Sequence, residues 1–320
     1  MNTTINGSEI CSVHWNPTAY KIGATVAYCL IFVVSLVGNS CIGIIVYKTK
    51  TLRKPIDIFI VNMAMSDLLV PLIYIPKQVA ELYLNFWLKS GVLGNALCKL
   101  IPFIYVVSFI VSVQSLVLIS VGRFGAVVFP LRSPLISAKR CPLFILASWI
   151  VAMATISPNL FSYRLEKRNG EVSCVFNWKE AFGVSVSDTD VALAYYIAFV
   201  FIPIILLILL YSVILFNLKL QKFPGKQSPD AKIQRKKRNT NVLKLAIAIV
   251  LGLAFCKLPL TILKLAAFYT TLPCGTLLYI KIVRFLFVSY CAINPCICFA
   301  FCRNYREGLR KLLKCSSDAS

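Results

Sequence analysis

The chain has 320 residues, of which 58% are hydrophobic and only 14% are charged. Soluble domains carry roughly 25% charged residues, so this composition excludes a soluble fold and predicts an all-α membrane protein. The formal net charge of +22 does not indicate a nucleic-acid partner, because the Lys and Arg residues cluster in loops between apolar stretches, where positive charge orients a chain in the membrane.

The first 21 residues are polar and lack the apolar core of a cleavable signal peptide, so we predict that 1–21 forms an extracellular tail. Two Asn-X-Ser/Thr acceptor sequences, at Asn2 and Asn6, predict glycosylation and favour an outside position for this tail.

Seven apolar stretches follow, each long enough to cross a bilayer as a helix. They predict a seven-transmembrane helix bundle over 22–302, with spans at about 22–47, 56–83, 98–129, 141–161, 191–217, 241–269 and 276–302. A short amphipathic eighth helix and a cytoplasmic tail, 303–320, end the chain. The short alternating segments of a transmembrane β-barrel are absent from the sequence.

Alternate loops differ in their positive charge. The segments 48–54, 130–140, 217–240 and 303–314 hold 20 Lys and Arg residues, whereas the tail and the segments 85–99, 162–190 and 270–276 hold 7. Because the cation-rich side is cytoplasmic, we predict an extracellular N-terminus and a cytoplasmic C-terminus in the plasma membrane.

Four polar residues lie at middle depth of the spans: Asn39, Asp67, Ser112 and Asn294. A carboxylate buried in lipid must pair, take up a proton or hold an ion, and Asp67 has no cation near it in sequence. Asp67, Ser112 and Asn294 would suit a small hard cation with water, or a hydrogen-bonded set that only fixes helix packing. Five spans also contain prolines that predict kinks: Pro76, Pro158, Pro203, Pro259 and Pro295.

Two pairs of cysteines lie where an oxidising compartment can reach them. Cys98 begins the third span and Cys174 follows the fourth, so the two are candidates for a disulfide across the outer face. Cys11 and Cys274 are a second candidate pair, and the sequence does not decide either connectivity.

Cations remain in the outer halves of three spans: Lys77, Lys257, Lys264, Lys281 and Arg284. Lipid would not tolerate this set, so we expect it to line a water-filled cavity that attracts an anionic group. Snorkelling to the outer interface is the alternative, which suits Lys264 and Lys281 better than Lys257.

A series of motifs in a fixed order resembles the rhodopsin-like (class A) G-protein-coupled receptors. Those motifs are Gly38-Asn39, Met65-Ser66-Asp67-Leu68-Leu69, Cys98, Arg123, Pro130-Leu131, Trp149, Cys174, Pro203 with Tyr211, Cys256-Lys257-Leu258-Pro259, Asn294-Pro295 and Phe301 to Arg306. The resemblance covers nearly the whole chain, from about residue 22 to about residue 315.

This resemblance implies roles for individual residues. Arg123 would contact a heterotrimeric G protein in the active state, with Tyr211, Asn294 and Pro295 as further coupling residues. Asp67, Ser112 and Asn294 match the family's Na⁺ site, and Asn39 belongs to the same polar core. No cofactor is expected apart from a possible Na⁺ at Asp67. Cys98 and Cys174 match the shared outer disulfide. Cys315 matches a palmitoylation site after the eighth helix.

The chain departs from the family pattern at several of these motifs. Gly122 and Phe124 flank Arg123 where an acidic residue and Tyr are usual, and Asn239 stands near the usual acidic partner in span six. Arg123 therefore lacks its usual restraints, and we predict appreciable ligand-independent signalling. Lys257, Tyr290 and Cys298 replace a usual Trp, a small polar residue and Tyr, which brings Na⁺ binding and coupling into question.

The ligand class follows from two exclusions. Tyr105 stands where amine receptors have Asp, and Val288 where opsins have the retinal-binding Lys. The resemblance is closest to peptide receptors, so the five outer cations predict a peptide ligand with an acidic group. A small anionic metabolite, nucleotide or lipid acid is the runner-up. An anion transporter or channel is an alternative of another class, and no enzyme is expected because the chain has one His and no nucleophile–base pair.

Overall fold

The computed structural model describes residues 17–84, 91–129, 134–168, 171–183, 186–220, 229–270 and 276–317. Seven helical segments in this part are long and apolar enough to cross a membrane: Pro17–Lys48, Pro55–Tyr83, Val92–Val128, Ala138–Ser162, Asp188–Leu218, Ile247–Ala267 and Leu278–Phe301. We call them spans one to seven, and we call the end of the bundle that is predicted to be extracellular its outer face and the opposite end its inner face. They confirm the predicted seven-transmembrane bundle.

Twelve helices and two strands make up these spans and their connections in the described part. The helices are α1 Pro17–Lys48, α2 Pro55–Asp67, α3 Ile75–Tyr83, α4 Val92–Val128, α5 Cys141–Ile156, α6 Asn159–Ser162, α7 Trp178–Phe182, α8 Asp188–Tyr196, α9 Ile202–Leu220, α10 Pro229–Tyr269, α11 Thr276–Phe301 and α12 Arg303–Ser317. The strands are β1 Tyr163–Arg168 and β2 Glu171–Phe176. Large apolar side chains such as Leu30, Leu146 and Leu209 point outward, which lipid accommodates and water would not.

Proline explains where several helices are interrupted. A π-helical turn, Val70–Tyr74, separates α2 from α3 and contains Pro71, and α5 gives way to α6 at Pro158. A second π-helical turn, Ile197–Phe201, precedes Pro203. Proline removes a backbone donor and so favours such irregular turns. Of the five prolines predicted to kink their spans, Pro76, Pro158 and Pro203 lie at or next to these breaks, whereas Pro259 and Pro295 lie inside continuous helices.

Two connections contain regular structure that the sequence analysis did not predict. The polar segment after span four forms an antiparallel hairpin in which Leu165 pairs with Cys174. The basic segment before span six is helical from Pro229, so α10 begins well before the predicted span. A capping box at Ser187, whose hydroxyl accepts a hydrogen bond from the Asp190 amide, begins α8.

Span three is the centre of the bundle. Helix α4 packs against α2, α5 and α9, while α11 packs against α1 and α10. Helices α1 and α11 approach closely at Gly38, where an added Cβ would lie 2.7 Å from the Pro295 Cβ. Any larger residue at Gly38 would therefore force these two helices apart.

Helix α12 lies against the inner ends of α1 and α11. Its apolar face is formed by Tyr305, Leu309 and Leu312, which recur at helical spacing and pack on the core. Its Arg and Lys residues lie on the exposed face. The amphipathic pattern predicted for the eighth helix is thus present in the structure.

Candidate ligand-binding and signalling sites

Three of the outer cations lie near one another. The Lys77 Nζ forms an ion pair with Glu81 at 2.7 Å, and Lys77 and Lys281 are each close enough to Arg284 for electrostatic interaction. The Lys281 Nζ lies 4.1 Å from the centroid of the Tyr20 ring. Within the described residues this outer cluster brings together three cations and one carboxylate, which makes its local charge positive.

Lys264 lies apart from this cluster on span six. Its side chain is half-buried, and its Nζ lies 5.9 Å from the Tyr196 ring centroid and 6.0 Å from the Phe287 ring centroid. It therefore presents a further cation on the outer half of the bundle.

The strand hairpin covers the outer ends of spans two and three. Cys98 and Cys174 form a disulfide with a Cα–Cα distance of 5.6 Å, which confirms the predicted pair. Leu165 and Tyr163 pack beside it over Tyr74. Burial raises the pKa of Tyr163 to about 12, so its phenol is neutral and adds no negative charge to this face.

Lys257 is unlike the other four cations because it is fully buried, with 0% of its surface exposed. Its ammonium donates to the Tyr105 hydroxyl at 3.1 Å and to the Phe287 carbonyl at 3.0 Å. The ring centroids of Tyr290 and Phe287 lie 3.6 and 3.7 Å from Nζ, and that of Phe109 lies 4.4 Å away. We call these four aromatic residues the Lys257 cage: Tyr105, Phe109, Phe287 and Tyr290.

This burial does not agree with the expectation that Lys257 lines the same open cavity as the other cations. Tyr105, predicted as a ligand contact, is also buried, and its ring stacks on Tyr74 at 4.1 Å. Spacing along span six could not reveal this, since Lys257 and Lys264 share a helical face but differ in depth. The roles of Lys257 and Tyr105 as ligand contacts stay predictions.

Asp67 lies below the cage and is also fully buried. The Asn294 amide donates to the Asp67 Oδ2 at 2.6 Å, and the Ser112 hydroxyl lies beside the carboxylate. The three residues that were predicted to meet therefore do meet. Asn39 lies in a neighbouring network, where its amide donates to the Cys291 carbonyl at 3.0 Å and to Ser35.

Arg123 lies half-buried at the inner end of span three, close enough to Asp57 and Tyr211 to interact electrostatically with both. The Tyr211 hydroxyl is 2.6 Å from the Ser120 Oγ, which joins spans five and three. The Tyr305 hydroxyl of helix α12 donates to the Asp57 Oδ1 at 3.2 Å. Burial raises the pKa of Tyr305 well above its ordinary value, which keeps this donor protonated.

Sequence reasoning missed two of these features. Asp57 was not selected, although an acidic residue just after Pro55 at the basic inner edge of span two is a recognisable signal. A network joining spans two, three and four was also missed, in which the Trp149 Nε1 donates to the Asn62 Oδ1 at 3.0 Å and the Asn62 amide donates to the Ser115 Oγ at 2.8 Å. Asn62 is a polar residue inside an apolar span, which is the usual sign of an inward-facing group.

Several predicted sites lie outside the described residues. They are the glycosylation sites Asn2 and Asn6 and the second cysteine pair, Cys11 with Cys274. Cys315 belongs to helix α12, and its predicted palmitoylation concerns a side chain that the structure does not describe. All of these stay predictions.

The family match decides the identity of this bundle. Residues 38–297 match the family described as 7 transmembrane receptor (rhodopsin family). The chain belongs to this family. Its members are signalling receptors and not enzymes, which confirms that the chain is a multi-pass membrane receptor without an enzymatic site.

Relatives within the rhodopsin family resemble the chain over most of its length. It is 27% identical over 305 residues to a QRFP-like peptide receptor of Branchiostoma floridae, covering 92% of this chain and 78% of that receptor. It is 27% identical over 312 residues to a RYamide receptor of Drosophila melanogaster, covering 93% of this chain and 65% of that receptor. It is 26% identical over 297 residues to the human Substance-K receptor, covering 90% of this chain and 72% of that receptor.

The Na⁺ ion implied by the family resemblance is a poor fit to the residues present. The Asp67 Oδ1 accepts no hydrogen bond from the described residues, which leaves one oxygen for a cation. Against this, Asn294 turns its NH₂ group rather than its carbonyl toward the carboxylate, and the Lys257 ammonium interacts electrostatically with it. The Tyr290 ring also stands where a small polar residue is usual. A second cation would therefore be repelled, and we assign no step of signalling to Na⁺.

Proposed function

We propose that this rhodopsin-family member is a plasma-membrane receptor with an extracellular N-terminus and a cytoplasmic C-terminus. Its ligand is an extracellular peptide that carries an acidic group, and its intracellular partner is a heterotrimeric G protein. The surrounding lipid is its third partner. The glycosylation of Asn2 and Asn6 and the palmitoylation of Cys315 belong to the same proposal.

The outer positive charge supports an acidic group on the ligand. Lys77, Lys281 and Arg284 lie together, and Glu81 is the carboxylate that pairs with Lys77. An incoming carboxylate would compete with Glu81 for Lys77 and gain two further cations. The names of three relatives, a QRFP-like peptide receptor, a RYamide receptor and a Substance-K receptor, support a peptide as the ligand class.

The inner surface supports G-protein coupling. Arg123 is half-buried at the inner end of span three, beside the inner ends of spans two and five. A ligand bound at the outer face would act on this site by shifting the receptor between two populations of conformations. Tyr211 interacts electrostatically with Arg123. Asn294 donates a hydrogen bond to Asp67, and Pro295 packs close to Gly38.

The decisive test measures nucleotide exchange on a panel of G proteins in membranes that contain either the intact chain or Arg123→Ala. We expect ligand-independent exchange from the intact chain and none from the variant. A library of peptide pairs, identical except for a C-terminal carboxylate or amide, then tests the acidic group. A family of peptides that activates equally well in both forms would contradict it.

Two alternatives remain distinguishable by experiment. A small anionic metabolite or lipid acid has few contacts, so single Ala substitutions of Lys77, Lys264, Lys281 or Arg284 should abolish its action, whereas a peptide that also contacts loops should tolerate single losses. An anion transporter or channel would carry an anion flux in reconstituted vesicles. A receptor would activate G proteins without any anion flux.

A further inference from the structure

Lys257 poses a question of charge balance. Its ammonium is completely buried, and no carboxylate lies within ion-pair distance among the described residues. Two hydrogen-bond acceptors and four aromatic rings surround it, which is a geometry that suits a charged ammonium. Rings alone offset only part of the cost of removing an ammonium from water.

Asp67 is a carboxylate that interacts electrostatically with Lys257, and its Oδ1 accepts no hydrogen bond within the described part of the chain. Tyr290 interacts with both groups. Its ring contacts the ammonium at 3.6 Å, and its hydroxyl lies 3.3 Å from the Ser108 Oγ, which donates to the Ser66 carbonyl at 2.7 Å. Ser66 is the residue directly before Asp67.

We propose that the ammonium of Lys257 is a tethered counter-ion for Asp67, so that the receptor carries in its own side chain the cation that this core would otherwise take from solution. Tyr290 and Ser108 form a polar connection from the ammonium to the backbone of the residue before Asp67. The receptor is consequently insensitive to Na⁺, and the charge of its core depends on the position of span six, which carries Lys257. This inference concerns the core alone and holds whatever ligand the outer face binds.

The test compares thermal unfolding of the purified receptor in NaCl and in choline chloride at equal ionic strength. The intact chain should melt at the same temperature in both salts. Lys257→Met removes the charge and keeps the length of the side chain, so this variant should gain a Na⁺-specific rise of about 3 °C, the shift expected from a modest ligand-linked stabilisation. The rise should disappear in the double variant Lys257→Met with Asp67→Asn.

Lys244→Met is the matched control, because it makes the same change on an exposed position of the same helix. It should leave the response to both salts unchanged. A Na⁺-specific stabilisation of the intact chain that Asp67→Asn abolishes would overturn the proposal and establish an ordinary Na⁺ site. Because that measurement needs no Lys257 variant, the proposal stays open to refutation even if Lys257→Met does not fold.

A separate observation concerns the inner surface, where a cavity of about 390 Å³ opens between the end of α1 and helix α12. Its lining contains three lysines, two threonines and an apolar wall: Lys48, Lys50, Lys311, Thr49, Thr51, Ile45 and Leu312, with Gly308 between the helices. None of the described residues that line it is acidic. Gly308 allows the helices to approach, since a Cβ there would lie 2.5 Å from the Ile45 Cγ2.

The turn that follows α1 and carries Thr49 and Lys50 is held by two hydrogen bonds to the backbone. Arg53 donates to the Tyr47 carbonyl at 2.7 Å, and the Leu52 amide donates to the Thr49 carbonyl at 2.9 Å. Arg53 is thereby engaged with the backbone, while the exposed lysines remain directed toward the cavity. We infer that this cavity binds the phosphorylated headgroup of an anionic membrane lipid, whose acyl chains continue along the apolar wall.

The test places the receptor in nanodiscs of phosphatidylcholine alone or with added phosphatidylinositol bisphosphate, and measures its melting temperature. We expect the phosphoinositide to raise it by about 3 °C. The rise should be lost when Lys48, Lys50 and Lys311 are all changed to Ala. It should persist when Lys139, Arg140 and Lys244, three exposed cytoplasmic-side cations outside the cavity, are changed instead. Equal loss in both triple variants, or no rise at all, would overturn the site, and an equal effect of soluble inositol trisphosphate would reassign it to free phosphates.

Discussion

Asp57 and Asp67, two carboxylates ten residues apart on span two, have similar kinds of partner but lie at different depths in the bundle. Asp67 receives a hydrogen bond from Asn294 of span seven and interacts with the Lys257 cation of span six. Asp57 receives a hydrogen bond from Tyr305 of helix α12 and interacts with the Arg123 cation of span three. Each carboxylate therefore joins a donor from the C-terminal part of the chain to a cation on another helix.

The depth of the two sites separates their functions. Asp67 and Lys257 are both fully buried, so neither can exchange its surroundings for water. Asp57 and Arg123 are only half-buried, so water can replace either partner at small cost. The interaction of Asp57 with Arg123 can thus be broken and remade readily, whereas the proposed pairing of Asp67 with Lys257 opposes any movement that separates the two charges.

The largest expected effect is that of Asp67→Ala. This change leaves the Lys257 ammonium without its counter-charge and one Asn294 donor unsatisfied, which should cost about 3–5 kcal/mol. Thermal unfolding of the purified receptor measures it. Asp57→Ala is the control from the shallow site and should cost less than about 1 kcal/mol. Equal losses of stability in the two variants would show that the depth of the two sites does not set the cost of removing the carboxylate.

The second effect is on activity rather than stability. Asp57→Asn weakens the hold on Arg123, and the loss of about 1 kcal/mol should raise ligand-independent nucleotide exchange roughly fivefold. Glu307→Gln makes the same kind of change on helix α12, where the carboxylate pairs with Arg303, and should leave exchange unaltered. An equal rise in nucleotide exchange in both variants would show that the loss of any negative charge at the inner face has this effect, and not the loss of Asp57 in particular.

The sequence predicts the architecture because each span is specified locally. An apolar stretch of sufficient length becomes a helix whatever its neighbours are, and seven such stretches were found where the structure has them. The meeting of Asp67 with Asn294 and the bond between Cys98 and Cys174 were also anticipated, since the family resemblance supplied long-range pairings that composition and spacing do not contain.

Partners that depend on depth and rotation of the helices were not predicted. Arg123 was expected to lack restraint because Gly122 replaces the usual acid, yet Asp57 reaches it from span two. Lys257 was grouped with Lys264 because the two share a helical face, although only Lys257 is buried. The hairpin was missed because the alternation of its two six-residue strands is short.

A third variant adds a negative charge beside Arg123, at the half-buried site that Arg123 forms with Asp57. A Cβ at Gly122 meets no atom within 4 Å, so Gly122→Asp has room for its side chain. The new carboxylate beside Arg123 should lower ligand-independent exchange about threefold, and it should offset most of the rise caused by Asp57→Asn when the two are combined. Basal exchange of the intact chain that is no higher than that of Gly122→Asp would contradict the predicted ligand-independent signalling.

The smallest expected effect belongs to Tyr305→Phe, which deletes one hydroxyl and the 3.2 Å hydrogen bond to the Asp57 Oδ1. The loss of a single hydrogen bond at a half-buried carboxylate should raise basal exchange only about twofold. Tyr195→Phe deletes the same atom and a bond of the same length, to the Asn159 Oδ1 near the outer face, so it controls for the loss of a phenol hydroxyl. If helix α12 helps to hold Asp57 against Arg123, only the Tyr305 variant will raise exchange, and the rise will vanish in the Asp57→Asn background. An undiminished rise in that background would mean that Tyr305 acts through its packing on α1 and α11 and not through Asp57.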